Sequence, residues 1–180
     1  MNGTVLHARS RFHFWSGAGA LSIKSFYRGH AQYEVGGARY LVDDTRYLLL
    51  NGGQEYTVTV DAPTPVESFC LFFATGFAEA TAFALAADTG RLLDNPYGRS
   101  GEIGFFERTY RHDELLSPAL AHLRNRFTQQ GQEVCWVDEQ LQQVMTQLLI
   151  AQGRVQQEVE TLPAARPATR VELYRRLWRA

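Results

Sequence analysis

The stretch from residue 31 to residue 42 reads AQYEVGGARYLV, and it decides which fold the sequence predicts. Gly36 and Gly37 stand at its centre, and a two-residue hairpin turn needs positive φ angles, which glycine adopts at the least cost. A turn at this pair sets three apolar or aromatic cross-strand pairs on one face: Val35–Ala38, Tyr33–Tyr40 and Ala31–Val42. The opposite face is mostly polar and places Glu34 opposite Arg39. Turn chemistry and face polarity therefore indicate the same antiparallel register.

The chain around this hairpin, residues 21–73, is also strand-like. Gly52-Gly53 predicts a second hairpin turn, and its expected pairs are Leu49–Tyr56 and Tyr47–Val58. Residues 66–73 (VESFCLFF) are apolar at both parities, which is typical of a strand buried on both faces. Many short antiparallel strands without helices between them predict a barrel or a sandwich. Residues 1–20 show no such pattern and are expected to form an irregular arm.

The hydrophobic period becomes helical after residue 73. We expect a helix over residues 77–90, an extended piece near 103–110, and a helix that begins at Ser117-Pro118 and ends before Gly131. A longer helix is predicted over 138–161, where apolar residues recur every seven positions. This seam either joins two chains or packs against its own domain. Its predicted dimer-interface residues are Leu141, Val144, Met145, Leu148 and Val155.

The last residues change character again. Residues 162–169 contain two prolines and small side chains, and they predict a linker. Thr169 is expected to cap a helix over 170–180 whose apolar stripe has no partner, as in the opening of a second domain. Five arginines after residue 162 favour a nucleic-acid partner for this end, although an arginine-rich genome would give the same pattern, since Lys24 is the chain's single lysine.

Composition limits the classes of protein that remain. The 180 residues suit one domain with an appendage, and the net charge of −1 predicts no general affinity for nucleic acid or membranes. Apolar runs are too short for a membrane span, and the N-terminus is unlike a secretory signal. Cys70 and Cys135 lie in apolar runs and are expected to be buried free thiols in a reducing cytoplasm rather than a disulfide.

No catalytic or metal-binding constellation is evident in the sequence. A small antiparallel β domain could be a metal-dependent cupin enzyme, but the five histidines are dispersed, so we expect no metal and no cofactor. Neither cysteine has a base beside it, and a nucleophile elbow is missing. The predicted barrel face instead carries four tyrosines, which suit either a ligand pocket or an ordinary aromatic core: Tyr33, Tyr40, Tyr47 and Tyr56.

Three segments resemble the AraC family of bacterial transcription regulators. They are residues 47–56 (YLLLNGGQEY), residues 105–110 (FFERTY) with His112-Asp113, and residues 162–178 (LPAARPATRVELYRRLW). The resemblance extends from about residue 21 to the end of the sequence.

This resemblance implies a mainly β plus α fold, a cupin-like antiparallel jelly-roll barrel over 21–110 followed by a helical dimerisation region over 111–161. It implies that the barrel senses a small-molecule effector, that the protein is a cytoplasmic homodimer rather than an enzyme, and that DNA is contacted only by a C-terminal helix-turn-helix domain beyond this chain. In such proteins the N-terminal arm can contact the pocket, which adds Trp15 to the candidate ligand-binding residues. Two alternatives stay open: a small cupin enzyme (an isomerase or a dioxygenase) and a dimerisation module with a solid barrel.

Overall fold

The computed structural model describes residues 2–87, 100–112, 116–130, 133–162 and 167–177. The strands are β1 (Gly3–Ala18), β2 (Ser22–Tyr27), β3 (Ala31–Val35), β4 (Ala38–Val42), β5 (Arg46–Leu50), β6 (Glu55–Phe73) and β7 (Arg108–Arg111). The helices are α1 (Phe77–Ala86), α2 (Ser117–Gln130), α3 (Val134–Thr161) and α4 (Pro167–Leu177).

All seven strands belong to one antiparallel sheet that curls into a nearly closed barrel. The hydrogen-bonded order is β4-β3-β6-β2-β5-β7. The 19-residue β6 is long enough to pair with β1 along one edge and with both β2 and β3 along the other. At the two ends of the order, the Tyr40 hydroxyl of β4 donates a hydrogen bond to the Glu107 carbonyl beside β7. The expected fold class, an antiparallel barrel followed by helices, is confirmed.

The β3–β4 hairpin has the register that its glycine pair predicts. Val35 pairs with Ala38, and the ladder continues to Ala31 and Val42 without a shift. Both turn glycines have positive φ, 54° at Gly36 and 80° at Gly37. On the outer face, Arg39 Nε lies 2.8 Å from Glu34 Oε1, which is the predicted ion pair.

The second glycine turn does not form a hairpin, and its predicted pairs are wrong. β5 pairs with β2 and β7, whereas the start of β6 pairs with β1 and β3. Tyr47 and Leu49 therefore belong to one core, and Tyr56 and Val58 belong to another. The turn finds its partner elsewhere, since the Gly53 amide donates to the Gly19 carbonyl at 2.8 Å. Turn chemistry located the chain reversal correctly but not the strands that pair.

The expected irregular arm is a 16-residue edge strand, β1, that pairs with β6 from end to end. The register shifts between Ser10 and Phe12, opposite the segment of β6 that contains Pro63 and Pro65. A proline cannot donate a backbone hydrogen bond, so these positions suit the irregular part of the ladder. The bulge also changes which face each side chain occupies: Ala8 and Ser10 face the barrel interior before it, and His13 and Trp15 face it afterwards.

The helices cover the outside of the barrel and share a core with it. Leu120, Leu123 and Phe127 are buried on one side of α2, together with Leu116 just before the helix. α3 begins at Val134, four residues before the predicted start, and α4 begins at Pro167 rather than after Thr169. The expectation that the apolar stripe of α4 has no partner is wrong, because Tyr174 packs against Val155 and Val159 of α3. The predicted stops at Gly90 and Gly131, residues 163–166 of the linker, and Asp113 lie outside the described residues.

The seam of α3 packs inside its own chain. Four of the five expected dimer-interface residues (Leu141, Val144, Met145 and Leu148) belong to the core shared with the barrel, and Val155 packs with Tyr174 of α4. All five are at least 93% buried within a single chain. Of the two alternatives for this seam, the structure therefore supports packing within the domain, because these side chains present no free surface to a second copy.

Both cysteines are free, but they differ in exposure. Cys70 is buried on β6, as expected. Cys135 is exposed, which corrects the expectation that both thiols are buried. It lies in the first turn of α3, next to Val134, which is itself 55% exposed.

Candidate ligand-binding site

An apolar cavity of about 410 Å³ lies inside the barrel. This volume falls within the range of small-molecule sites. Its walls come from β1, β2, β3 and β6, and most of its lining is aliphatic or aromatic. The aromatic residues of the wall are Trp15, Phe26, Tyr33, Tyr56 and Phe72.

The aromatic rings at one end of the cavity contact one another. The Trp15 and Tyr56 ring centroids are 4.7 Å apart, and those of Tyr56 and Tyr33 are 5.6 Å apart. Phe26 then meets Tyr33 edge-on at 6.1 Å. Such contacts stabilise each ring by more than its buried area alone. The cavity therefore has a preformed wall of mutually tilted aromatic rings against which an apolar ring or chain could pack.

One cation stands in this apolar wall. Lys24, on β2, is only 1% exposed, and its Nζ donates a hydrogen bond of 2.9 Å to the Tyr56 hydroxyl. The same nitrogen lies 3.7 Å from the Phe72 ring centroid and 4.9 Å from that of Tyr56. Among the described residues, no carboxylate lies within ion-pair distance of Lys24.

This environment shifts the pKa of Lys24 and of its neighbours. Burial lowers the pKa of the ammonium to about 8, and the neighbouring Cys70 opposes that shift. Burial likewise raises the pKa of the Cys70 thiol and raises that of Tyr56 to about 12. At neutral pH the lysine is thus charged, partly desolvated, and compensated by aromatic faces rather than by an anion. An incoming acid group would supply the missing counter-charge.

The five predicted ligand-binding residues are not all at this cavity. Trp15, Tyr33 and Tyr56 line it. Tyr40 instead lines a smaller pocket of about 160 Å³ at the open edge of the barrel. Tyr47 faces the helices and stacks on Tyr110 with their ring centroids 5.5 Å apart. The structure therefore brings three of the five together and places the other two elsewhere.

Sequence reasoning missed Lys24 itself. The signal was present, since the chain's only lysine falls within an apolar strand segment, LSIKSFY over residues 21–27. A lysine at a core-facing position of a strand is unusual in a structural role, because charged side chains are almost never fully buried unless they are paired.

A buried carboxylate on the other side of β6 ties two elements to the barrel. Glu67, 2% exposed, lies 2.7 Å from Arg124 Nε of α2, 3.1 Å from His7 Nε2 and 3.4 Å from Arg9 Nη2 of β1. The hydrogen bond from Arg124 is the largest of the effects that lower the pKa of Glu67 to about 2. This ionic cluster holds β1 in place, and β1 supplies Trp15 to the cavity.

A second, larger cleft differs from the barrel cavity in the residues that line it. A cleft of about 800 Å³ between α1 and the 52–53 turn is lined mainly by glycine and alanine, with Glu79 and Glu102 as its charged residues. Within the described residues no group of three potential metal ligands is found. None of the described helices combines the length and the apolarity required for a membrane crossing.

Comparison with known proteins connects this architecture to a solved group. No protein-family model matches the sequence, and no curated protein matches it. Among solved structures, an apo variant of ToxT from Vibrio cholerae superimposes with a TM-score of 0.54 at 12% identity, covering 88% of this chain and 57% of that one. The fold is that of the ligand-binding domain of ToxT. ToxT is an AraC-family regulator, so the fold expected from the resemblance is confirmed.

Two further ToxT structures agree. The form solved at 1.65 Å gives a TM-score of 0.52 at 12% identity, covering 86% of this chain and 57% of ToxT. ToxT bound to (E)-4-(8-methylnaphthalen-1-yl)but-3-enoic acid gives 0.50 at 13% identity, with 84% and 56% covered. The present chain thus spans a little more than half the length of the ToxT chains.

Proposed function

We propose that this chain is the effector-sensing part of an AraC-type transcription regulator, and that its effector is an organic anion with an apolar body. The body occupies the barrel cavity, and the acid group pairs with Lys24. The observation that carries the proposal is this single buried ammonium in a cavity whose other walls are almost entirely apolar. The shared fold and the three resembling segments support the regulatory part.

The chemistry of the cavity favours an anion over a neutral ligand. Lys24 is charged at neutral pH and has aromatic faces and a hydroxyl as its only described partners. A carboxylate in a low-dielectric site gains more from such an ammonium than it does in water. The acid bound to ToxT combines a bicyclic aromatic body with one carboxyl group. A ligand of that class suits both the aromatic wall and the lysine of this cavity.

The regulatory arrangement extends beyond this chain. Homodimerisation, a cytoplasmic location and DNA contact through a further C-terminal domain complete the proposal, and none of these roles is enzymatic. Any interface on α3 has to use its outer side, where Ile150 is 44% exposed, since the seam is buried. Ile150→Glu should therefore lower the mass measured by light scattering if α3 dimerises the protein, and an unchanged dimer mass would place the interface elsewhere.

Titration with the naphthyl butenoic acid tests the ligand class. Isothermal calorimetry should show binding to the wild-type chain and a loss of about 10- to 100-fold in affinity for Lys24→Met, which keeps the volume but removes the charge. Arg39→Met is the matched control, because it removes a cation that is exposed on the outer face of the barrel. Equal affinity of Lys24→Met and wild type would contradict the anion site. Stoichiometric metal in the purified protein would instead support the cupin-enzyme alternative.

A further inference from the structure

The last helix of the described chain lies against the sensing domain. Tyr174 of α4 is only 4% exposed, and its hydroxyl donates to Glu158 of α3 at 3.1 Å. Its ring meets Phe106 edge-on with centroids 5.0 Å apart, and it packs with Val155 and Val159. A side chain that follows the predicted linker is thus inserted into the barrel-and-helix unit.

A cationic side chain from the barrel also contacts Tyr174. The Arg108 guanidinium carbon of β7 lies 4.2 Å from the Tyr110 ring centroid and 5.2 Å from that of Tyr174. Arg170 of α4 adds a bond from Nη1 to the Glu160 carbonyl at 2.7 Å. We call the surface that α4 contacts the docking surface, and its members are Phe106, Arg108, Tyr110, Val155, Glu158 and Val159. Packing, a cation–π contact and directed hydrogen bonds make the position of α4 specific.

The docking surface is joined to the 51–54 turn through Asn51, by its side chain and its backbone amide. The Asn51 side chain donates to the Phe105 carbonyl and accepts from the Phe105 amide, both at 2.8 Å. The Asn51 amide donates to Glu107 Oε1 at 3.0 Å. Three hydrogen bonds therefore fix the loop that carries Phe106 to the turn between β5 and β6.

The same turn is joined to the cavity. Gly19 accepts from the Gly53 amide at 2.8 Å and donates to the Gln54 carbonyl at 3.2 Å. Gly19 also packs closely against Tyr56, since a β-carbon added at position 19 would stand 2.8 Å from Tyr56 Cε1. Tyr56 in turn accepts the hydrogen bond from Lys24. Contacts thus run without interruption from the cavity lysine to Tyr174.

We propose that the docking surface holds α4 when the cavity is empty, and that a ligand bound at Lys24 releases α4 through Tyr56, Gly19 and Asn51. The role of the ligand rests on the proposed function. An acid group that draws the Lys24 ammonium towards itself lengthens the hydrogen bond from Nζ to the Tyr56 hydroxyl, and a shift of the Tyr56 ring changes its close packing against Gly19. The displacement therefore strains the hydrogen bonds between Gly19 and the turn, and the same turn positions the loop that holds Tyr174 through Asn51.

Docking itself is measured by hydrogen exchange in the absence of ligand. In the full 180-residue chain, Tyr174→Ala should speed amide exchange in residues 167–177 by about tenfold or more, because a buried aromatic anchor is lost. Leu173→Ala, on the exposed neighbour, should change it by no more than about twofold. Equal exchange in Tyr174→Ala and Leu173→Ala would overturn docking.

Coupling to the cavity is measured by alkylation of Cys70, which lines the cavity. In a Cys135→Ser background, Tyr174→Ala and Asn51→Ala should each raise the rate with N-ethylmaleimide about fivefold or more, and the double variant should add little. Leu123→Ala, in the core beneath α2, controls for general loss of stability. Additive effects of Asn51→Ala and Tyr174→Ala, or rates no higher than in Leu123→Ala, would overturn the coupling.

The effect of a bound ligand on α4 is tested with the naphthyl butenoic acid as the probe. The probe should speed exchange of residues 167–177 about fivefold or more, and Tyr174→Ala should bind it more tightly by the same factor, because linkage is reciprocal. Lys24-dependent binding without any change in exchange would overturn release. If the probe does not bind at all, the proposed ligand class fails, while the exchange and alkylation results still decide whether α4 is docked and coupled.

Discussion

Replacing Lys24 by methionine should stabilise the protein at neutral pH while it removes the anion site. The substitution keeps an unbranched side chain of similar length in the cavity wall and deletes the ammonium. Burial lowers the pKa of Lys24 from 10.5 to about 8. A difference of 2.5 between these values corresponds to about 3 kcal/mol that the charged lysine costs the folded state.

The net gain is smaller, since favourable contacts of the ammonium are lost as well. The hydrogen bond to the Tyr56 hydroxyl is worth about 1 kcal/mol, and the contact with the Phe72 face contributes about 1 kcal/mol more. The free energy of unfolding of Lys24→Met should therefore exceed that of wild type by about 1 kcal/mol at pH 7, or about 2–4 °C in Tm.

The pH dependence gives the sharper test. Below pH 8 the lysine is charged in both the folded and the unfolded chain, and the full cost of burial is present. Between pH 8 and 10.5 only the unfolded chain keeps the proton, so wild-type stability rises with pH relative to Lys24→Met. Urea denaturation at pH 7, 9 and 10.5, with Arg39→Met as control, should show the advantage of Lys24→Met vanish near pH 9 and reverse to a deficit of about 2 kcal/mol at pH 10.5. A Lys24→Met protein that is less stable at pH 7, with a constant difference across this range, would refute the reasoning.

Three further substitutions test other parts of the structure. Glu67→Gln should lower the free energy of unfolding by about 2–3 kcal/mol at pH 7, and wild type should lose the same stabilisation as the pH falls from 4.5 towards 2, because the pKa of the carboxylate is lowered to about 2 in the folded state. Chemical denaturation across pH should show both effects, and a stability difference between the two proteins that does not change with pH would contradict the assignment. Gly153→Ala should stabilise α3 by about 0.5–1 kcal/mol, since its β-carbon would meet nothing within 4 Å, and a lower urea midpoint would show the site to be constrained. Gly53→Ala should cost about 1–2 kcal/mol because its φ is +79°, and urea denaturation with no change in midpoint would mean that the turn relaxes freely.

The parts of the fold that depend on residues close together in the sequence could be predicted from the sequence. The Gly36-Gly37 turn fixes a two-strand register by itself, so the β3–β4 pairing followed from the sequence. The start of α2 at Ser117 followed from the Ser-Pro pair in the same way. These features require only neighbours in sequence.

Features that depend on strands far apart in the sequence could not be predicted from the sequence. Gly52-Gly53 reverses the chain, but β6 pairs with β1 and β3 because the barrel closes, and no turn signal contains that information. β1 has the composition of an arm and becomes a strand only because β6 offers it a 19-residue edge.

The site was predictable only in part for the same reason. Tyr33 and Tyr56 face the cavity because their strands alternate as predicted, whereas Tyr47 belongs to the other face of the barrel. Trp15 reaches the cavity only because the bulge after Ser10 reverses the parity of β1. The α3 seam shows a heptad spacing in either environment, so periodicity could not distinguish a second chain from the domain's own core.

The central claim is that Lys24 is the anion anchor of the barrel, and the side chain can be observed directly. Because the chain contains a single lysine, protein labelled with [¹³Cε]lysine gives one signal whose shift reports the protonation of Nζ. We predict a pKa near 8 without ligand, and a rise when the naphthyl butenoic acid is added, because a neighbouring carboxylate favours the charged ammonium. A pKa near 10.5 that does not respond to saturating acid would contradict the account.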